Sequence, residues 1–346
     1  MTRYFGIEIL RFFTSLSVLL YHYRHFYSPF NSFSEIDSND VFANLPFSEV
    51  LNIFYVHGIY GVHVFYVISG FVFSYVYIYA KKQVSGREFF LNRFARLYPL
   101  HFITLIIIAF LQYFSFFQYE SFQIVEINDL YHFILQIFFI SSWGFEEGHS
   151  FNAPIWSVSV EIAIYIIFFL TLIFLRKFKI RFVIAFSIFL IIINKILLIE
   201  GLFLECARLF FSGVLVYMIS TYFKNTKILF YISIILIIFS FLGNYKTYLF
   251  CPSIVLFFSQ IDRFIKKDSI KSLFSNLGNL TYSIYLIHVP LQIILIICFN
   301  LFNIDETIVN TKTFFFLFII VLMMISNICF VKYEKPLNYM IRNKFK

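Results

Sequence analysis

The first apolar stretch, Gly6 to Tyr27 (GIEILRFFTSLSVLLYHYRHFY), is hydrophobic enough to enter a bilayer, yet it carries Glu8, Arg11 and His22. An ionisable side chain inside a membrane span costs roughly 2.5–3.5 kcal/mol on insertion scales, so such residues face protein or water and point to function. The spacing tightens the constraint. Arg11 and His22 are eleven residues apart, and eleven steps of about 100° return to one helix face, about 16 Å further along the axis. Glu8 and Ser15 fall on the same stripe. This segment is a helix with one polar seam and a base near its outer half.

The rest of the chain extends that reading. Of its 346 residues, 60% are hydrophobic and only 13% charged, whereas a soluble domain carries roughly 25% charged residues. With a mean hydropathy of +0.83, the expectation is an all-α, polytopic membrane helix bundle. The first span lacks a small-residue cleavage site and runs the length of a bilayer, so it reads as retained. The net charge of +8 is no nucleic-acid footprint, because the basic residues are divided among short loops that obey the positive-inside rule. No nucleic-acid partner is expected. The lipid bilayer is. Cys206, Cys251, Cys298 and Cys329 sit in apolar segments without metal spacing, so they read as core residues, with no disulfide framework and no metal site. The 53 Phe, with abundant Ile, Asn and Lys, suggest AT-rich codon usage and a low-GC bacterium.

Hydropathy and charge together set a topology. Spans are expected at about 6–27, 57–79, from RFARLYP to about Phe117, then about 156–175, 182–199, 203–221, 227–242, 247–261, 278–300 and 313–331. The acidic loop 28–52 then lies outside, while KKQVSGRE, RKFKIR, YFKNTK, DRFIKKDSIK and the basic tail lie inside. Residues 131–143 are too short to cross the ~30 Å core as a helix. Crossing there would also invert every later loop against the charge rule. That stretch is therefore re-entrant or interfacial. The expectation is about ten transmembrane helices plus one short helix, in a single integral-membrane domain over 1–346. It would sit in a bacterial cytoplasmic membrane with both termini cytoplasmic.

Four further clusters carry possible chemistry. The second span, GVHVFYVISGFVFSY, holds His63, Ser69, Gly70 and Ser74; small residues there commonly serve only close helix approach. Arg93 and Arg96 share a face at i,i+3, a geometry that suits phosphate but also plain positive-inside anchoring. In APIWSVSVEIAIY, Trp156 fits an interfacial helix start, and Ser157 and Glu161 share a face. A buried carboxylate at that depth points to function. In NLTYSIYLIHVPLQ, Thr281, Tyr285, His288 and Gln292 form another polar seam, with Pro290 able to kink the helix; a membrane histidine is equally often just bonded to a neighbour. No Gly-rich phosphate loop, Ser-His-Asp order or metal spacing is present. A membrane enzyme and a transporter of something anionic both fit.

The ordered series of an Arg–ten residues–His first span, GVHVFYVISGF, FFLNRFARLYP, IWSVSVEIAIY, TYSIYLIHVP and a late EKP resembles acyltransferase family 3, integral-membrane enzymes that O-acylate surface polysaccharides and related glycans. The resemblance runs from about residue 4 to about residue 337. It implies ten spans, acyl-CoA (acetyl-CoA) supplied from the cytoplasm as co-substrate with no permanently bound cofactor, and a glycan or cell-surface polysaccharide hydroxyl as acceptor. It also implies roles: His22 as catalytic base, with Arg11 and Glu161 in the catalytic set; Arg93 and Arg96, with Tyr285 and His288, on the acyl-CoA side; Trp156, Ser157, His63 and Ser69 shaping the acceptor site. Two positions depart from the family pattern: His63 stands where an Asp is usual, and Ile162 and Ala163 replace a Glu-Gln pair. The competing reading is a transporter or flippase that moves a glycan or anion without acyl transfer, which bundled helices and intramembrane charges fit equally well.

Overall fold

Without water to bond in lipid, a chain must satisfy its backbone N–H and C=O groups internally, which an α-helix does. The computed structural model describes residues 4–27, 42–79, 84–197, 201–223, 225–242, 246–262 and 268–344. Among these it is helical, with no strand. Helix α1 (Phe5–His22) continues into a 3₁₀ turn at Tyr23–Phe26. There follow α2 (Ser48–His57), α3 (Tyr60–Phe73) with a π turn at Ser74–Ile78, α4 (Gly86–Tyr119), α5 (Leu130–Ile137) and α6 (Ile155–Phe178). The remainder is α7 (Ile180–Leu197), α8 (Leu202–Tyr222), α9 (Thr226–Leu242), α10 (Cys251–Ile261), α11 (Asp268–Phe302), α12 (Lys312–Cys329) with a π turn at Phe330–Glu334, and α13 (Lys335–Lys344).

A helix occupies each of the ten expected positions. Among the described residues seven are long and apolar enough to cross a membrane: α1, α3, α4, α6, α8, α11 and α12 with its extension. The other three, α7, α9 and α10, have 18, 17 and 11 residues. Long helices expose large apolar side chains, such as Phe117, Leu170 and Ile173, which suits contact with lipid and not water.

The expected short helix is present as α5, with eight residues, about 12 Å. Two local outcomes differ from the sequence reading. Helices α4 and α11 begin well before the expected spans, at Gly86 and Asp268, and reach 34 and 35 residues. Helix α2 arises inside the loop read as outside; it buries Tyr55 and exposes Val50, Ile53 and Phe54. Residues 28–41 of that loop lie outside the described residues.

The chain divides into two compact units, the first of Met1–Thr14, Tyr60–Gly86 and Val160–Asn279, the second of Ser15–Ile59, Arg87–Ser159 and Leu280–Lys346. In the first, α3 and α8 approach at Gly70 and Gly213. A Cβ on Gly70 would run into the Phe210 carbonyl oxygen, and one on Gly213 into that of Val67. Bare glycines let two backbones meet in a medium where no hydrophobic effect drives helices together. At the start of α1, Gly6 lies against the Phe258 carbonyl of α10 and donates its N–H to the Asp262 carboxylate. The π turn after α3 leaves the Tyr77 carbonyl to accept from Nε and NH2 of Arg176 at 3.0 and 2.7 Å.

In the second unit Leu105, Ile108, Ile124, Val125, Phe151, Ala153, Val289, Ile293 and Ile297 form a buried core. Pro290 lacks an N–H, so the Leu286 carbonyl one turn back has lost its helical donor. The Asn152 side-chain amide supplies one at 3.2 Å. The loop that carries Asn152 is fixed in turn: Gln136 donates to the Ser150 carbonyl at 2.8 Å, and Asn128 accepts from the Phe151 N–H at 3.0 Å.

The glycine crossing is testable. Gly213→Leu is expected to cost more than the ~1–3 kcal/mol typical of overpacking, because the obstacle is backbone. Thermal unfolding of the detergent-purified protein measures it; an unchanged midpoint would contradict the close approach.

Candidate functional site

Polar side chains gather separately in each unit. In the second unit the centre is His22, the last residue of α1. The final carbonyls of a helix lack intrahelical partners, and here the Gln292 amide donates to the His22 carbonyl at 2.9 Å. The His22 ring, 4% exposed, sets its Nδ1 2.9 Å from Nε2 of His288, itself 1% exposed. The two rings are within 7° of parallel. Nδ1 of His288 lies 3.2 Å from the Ile284 carbonyl oxygen. His25, three residues on and also buried, stacks on His22 with centroids 4.8 Å apart. His149, in the loop before α6, acts electrostatically on both His22 and His25, and its ring lies 6.5 Å from that of Trp156. Burial holds the His149 imidazole below its ordinary pKa, against the opposing pull of Glu146.

Beside this cluster, the Tyr285 hydroxyl donates to the Pro154 carbonyl. The Ser157 hydroxyl shares a hydrogen bond with the Tyr285 hydroxyl at 2.7 Å and itself lies 3.3 Å from the Pro154 carbonyl oxygen. This ties the start of α6 to the middle of α11. Elsewhere in the unit Arg96 pairs with Glu334, a carboxylate only 2% exposed, whose second oxygen accepts from Ser283 at 2.7 Å. The Arg96 guanidinium also sits 5.6 Å from the Tyr282 ring. Arg93 is half-buried one turn earlier on α4. Ahead of α5, Asp129 caps the helix through the His132 N–H at 2.8 Å and takes the His132 Nδ1–H at 3.0 Å. Burial raises the Asp129 carboxyl, but those hydrogen bonds outweigh it and leave it below the usual carboxylate range.

In the first unit Arg11 pairs with Glu8 at 3.3 Å. Glu8 rests on Gly278 of α11, where a Cβ would meet its carboxylate. His63 pairs with Glu205 at 3.4 Å, and Arg208 reaches Asn194 at 3.3 Å while covering the Tyr248 ring at 3.8 Å. Glu161 is half-buried on α6, and Ser69 is half-buried beside Gly70.

The second unit thus brings together His22, His288, Tyr285, Ser157 and Trp156, and separately Arg96; the first holds Arg11, His63, Ser69 and Glu161. Sequence reasoning did not single out His25, His149, Asn152 or Glu334. His25 was findable, since it lies at i+3 from His22. Glu334 stands in the EKP already noted, but its partner Arg96 is 238 residues away. Among the described residues no group of three or more His, Cys, Asp or Glu could hold a metal ion.

Compared with known protein families, residues 4–332 match a model described as an acyltransferase domain. No curated protein and no solved structure matches the chain.

The Arg96–Glu334 pair gives a second test. Glu334 is buried while Arg96 is partly exposed, so removing the carboxylate strands a partly solvated guanidinium and costs less than the ~3–5 kcal/mol of a fully buried pair. Glu334→Ala should still lower the thermal midpoint in detergent more than Ser283→Ala. Equal, small effects would show that the pair does not hold the fold.

Proposed function

The chain belongs to acyltransferase family 3 and is a membrane acyltransferase, and from that premise we propose that it moves an acyl group, acetyl first among candidates, from cytoplasmic acyl-CoA to a hydroxyl of an extracytoplasmic glycan. The observation that carries this reading is the buried His22: one ring nitrogen is engaged by His288, and the other makes no hydrogen bond among the described residues. An imidazole so held suits a general base.

In the reaction, His22 accepts the proton of the acceptor hydroxyl as its oxygen attacks the thioester carbonyl. The tetrahedral intermediate collapses, the C–S bond breaks, and the proton held by His22 passes to the departing CoA thiolate. The products are an ester and free CoA. Arg93 and Arg96 are proposed for the CoA phosphates. Because Glu334 already engages Arg96, a phosphate there shares that guanidinium, and Arg93 takes the larger part. Arg11, steadied by Glu8, is proposed to hold the donor. Trp156, Ser157, His63 and Ser69 are proposed to shape the acceptor side, and Glu161 is proposed for the catalytic set. The setting is a bacterial cytoplasmic membrane, both termini inside, with residues 1–346 acting as one integral-membrane domain.

The test compares surface glycans by mass spectrometry from cells with the wild-type gene, a His22→Ala variant and a deletion. The expected result is one added acyl mass per repeat with wild type only. A positioned base contributes about 10²–10⁴-fold, so His22→Ala should look like the deletion. Full acylation by a correctly inserted His22→Ala protein would overturn the assignment.

A further inference from the structure

We propose that His288 is a positioning residue: it fixes the tautomer of His22 and so selects Nε2 as the nitrogen that acts as base. This rests on the reading of His22 as general base, and adds which atom works and what orients it.

A chain of hydrogen bonds leads to His22 from a group whose role cannot change. A backbone carbonyl only accepts. The Ile284 carbonyl oxygen lies 3.2 Å from Nδ1 of His288, so that nitrogen carries the proton. A neutral imidazole has one donor and one acceptor nitrogen, and a buried imidazole is favoured neutral because burying a charge is costly. Nε2 of His288 is then a lone pair. It lies 2.9 Å from Nδ1 of His22, which must therefore be the donor. The bond is made edge to edge: the rings are only 7° from parallel, with centroids 5.0 Å apart. Having its hydrogen on Nδ1, His22 has its own lone pair on Nε2, the nitrogen turned away from His288.

Both ends of this relay are anchored. Gln292 holds the His22 carbonyl, and Asn152 satisfies the carbonyl that Pro290 leaves without a donor. These two contacts fix α11 on either side of His288, at Leu286 and at Gln292, and α1 at its last residue. When Nε2 of His22 takes the hydroxyl proton, the resulting imidazolium still donates Nδ1–H to the His288 lone pair. His288 thus stabilises the charged form without itself gaining or losing a proton. A direct role for His288 on acyl-CoA, the role its resemblance suggested, would need Nε2, which His22 already occupies.

Two measurements test this. First, the protein is labelled with isotopic histidine, purified in detergent, and its ring tautomers are read from long-range proton–nitrogen correlations, assigned with His22→Gln and His288→Gln. His22 should be protonated at Nδ1 and bare at Nε2, and His288 protonated at Nδ1. Protonation of His22 at Nε2 in the wild type would overturn the proposal whatever the activity. Second, transfer from radiolabelled acetyl-CoA is followed in membrane vesicles. His288→Ala should lower kcat below wild type by less than the ~10²–10⁴-fold of losing the base itself, with KM for acetyl-CoA unchanged. His288→Gln, whose side-chain carbonyl can still accept from Nδ1–H, should recover part of the loss. Full activity in His288→Ala, or a loss confined to KM, would sink the positioning role while leaving His22 as base. Full activity in His22→Ala would instead sink the general-base reading, which the tautomer spectrum distinguishes.

Discussion

An ionisable side chain on an apolar helix has no water to answer it, so the chain must supply the answer. Four pairs show this being done. Glu8 answers Arg11, Glu205 answers His63, Glu334 answers Arg96, and His288 answers His22. Each leaves fewer unmet charges or hydrogen bonds than either member would alone, which is why breaking such a pair costs more than never having built it. Much of the remaining architecture consists of the local departures from regular helix that let these partners meet.

Those departures are specific. Gly278 has no Cβ, and the space it leaves is where the Glu8 carboxylate rests. The π turn at Phe330–Glu334 adds a residue to one turn, which rotates the downstream residues by about 100° relative to an uninterrupted helix. Glu334 ends that turn and faces Arg96 and Ser283. Pro290 removes a donor one turn past Leu286, and the vacancy is filled by Asn152 from a loop. A glycine, a π turn and a proline thus do related work. Each costs some helix regularity at a point where a side chain from another segment is needed.

The helices were legible because apolar runs of bilayer length are a strong signal, and helices stand at all ten expected positions. Their ends were not. Helices α4 and α11 run on through polar residues at their starts, where hydropathy falls but the backbone stays helical. Among the candidate residues, those sharing a helix were readable from spacing: Arg11 with His22, Arg93 with Arg96, Tyr285 with His288. Contacts between distant segments were not. Nothing local in TYSIYLIHVP says that His288 meets His22, which lies 266 residues earlier. The same holds for Asn152 and for Glu334, whose partners are set by tertiary packing. His25 is the exception, one turn from His22 and visible in YHYRHFY.

The choice of a histidine to hold His22 stems from the surroundings. A carboxylate in that position would steady the imidazolium more strongly, as in soluble Ser-His-Asp sites, but it would be a second ionisable group to bury beside an already buried ring. His288 accepts the Nδ1–H without carrying a charge. Its own proton goes to the Ile284 carbonyl, which cannot give one back. The polarity of the whole chain, from backbone carbonyl to working nitrogen, is then set by an atom of the helix itself. Such a relay works only if the helix keeps its register through Pro290, and that is what Asn152 and Gln292 secure on either side of it.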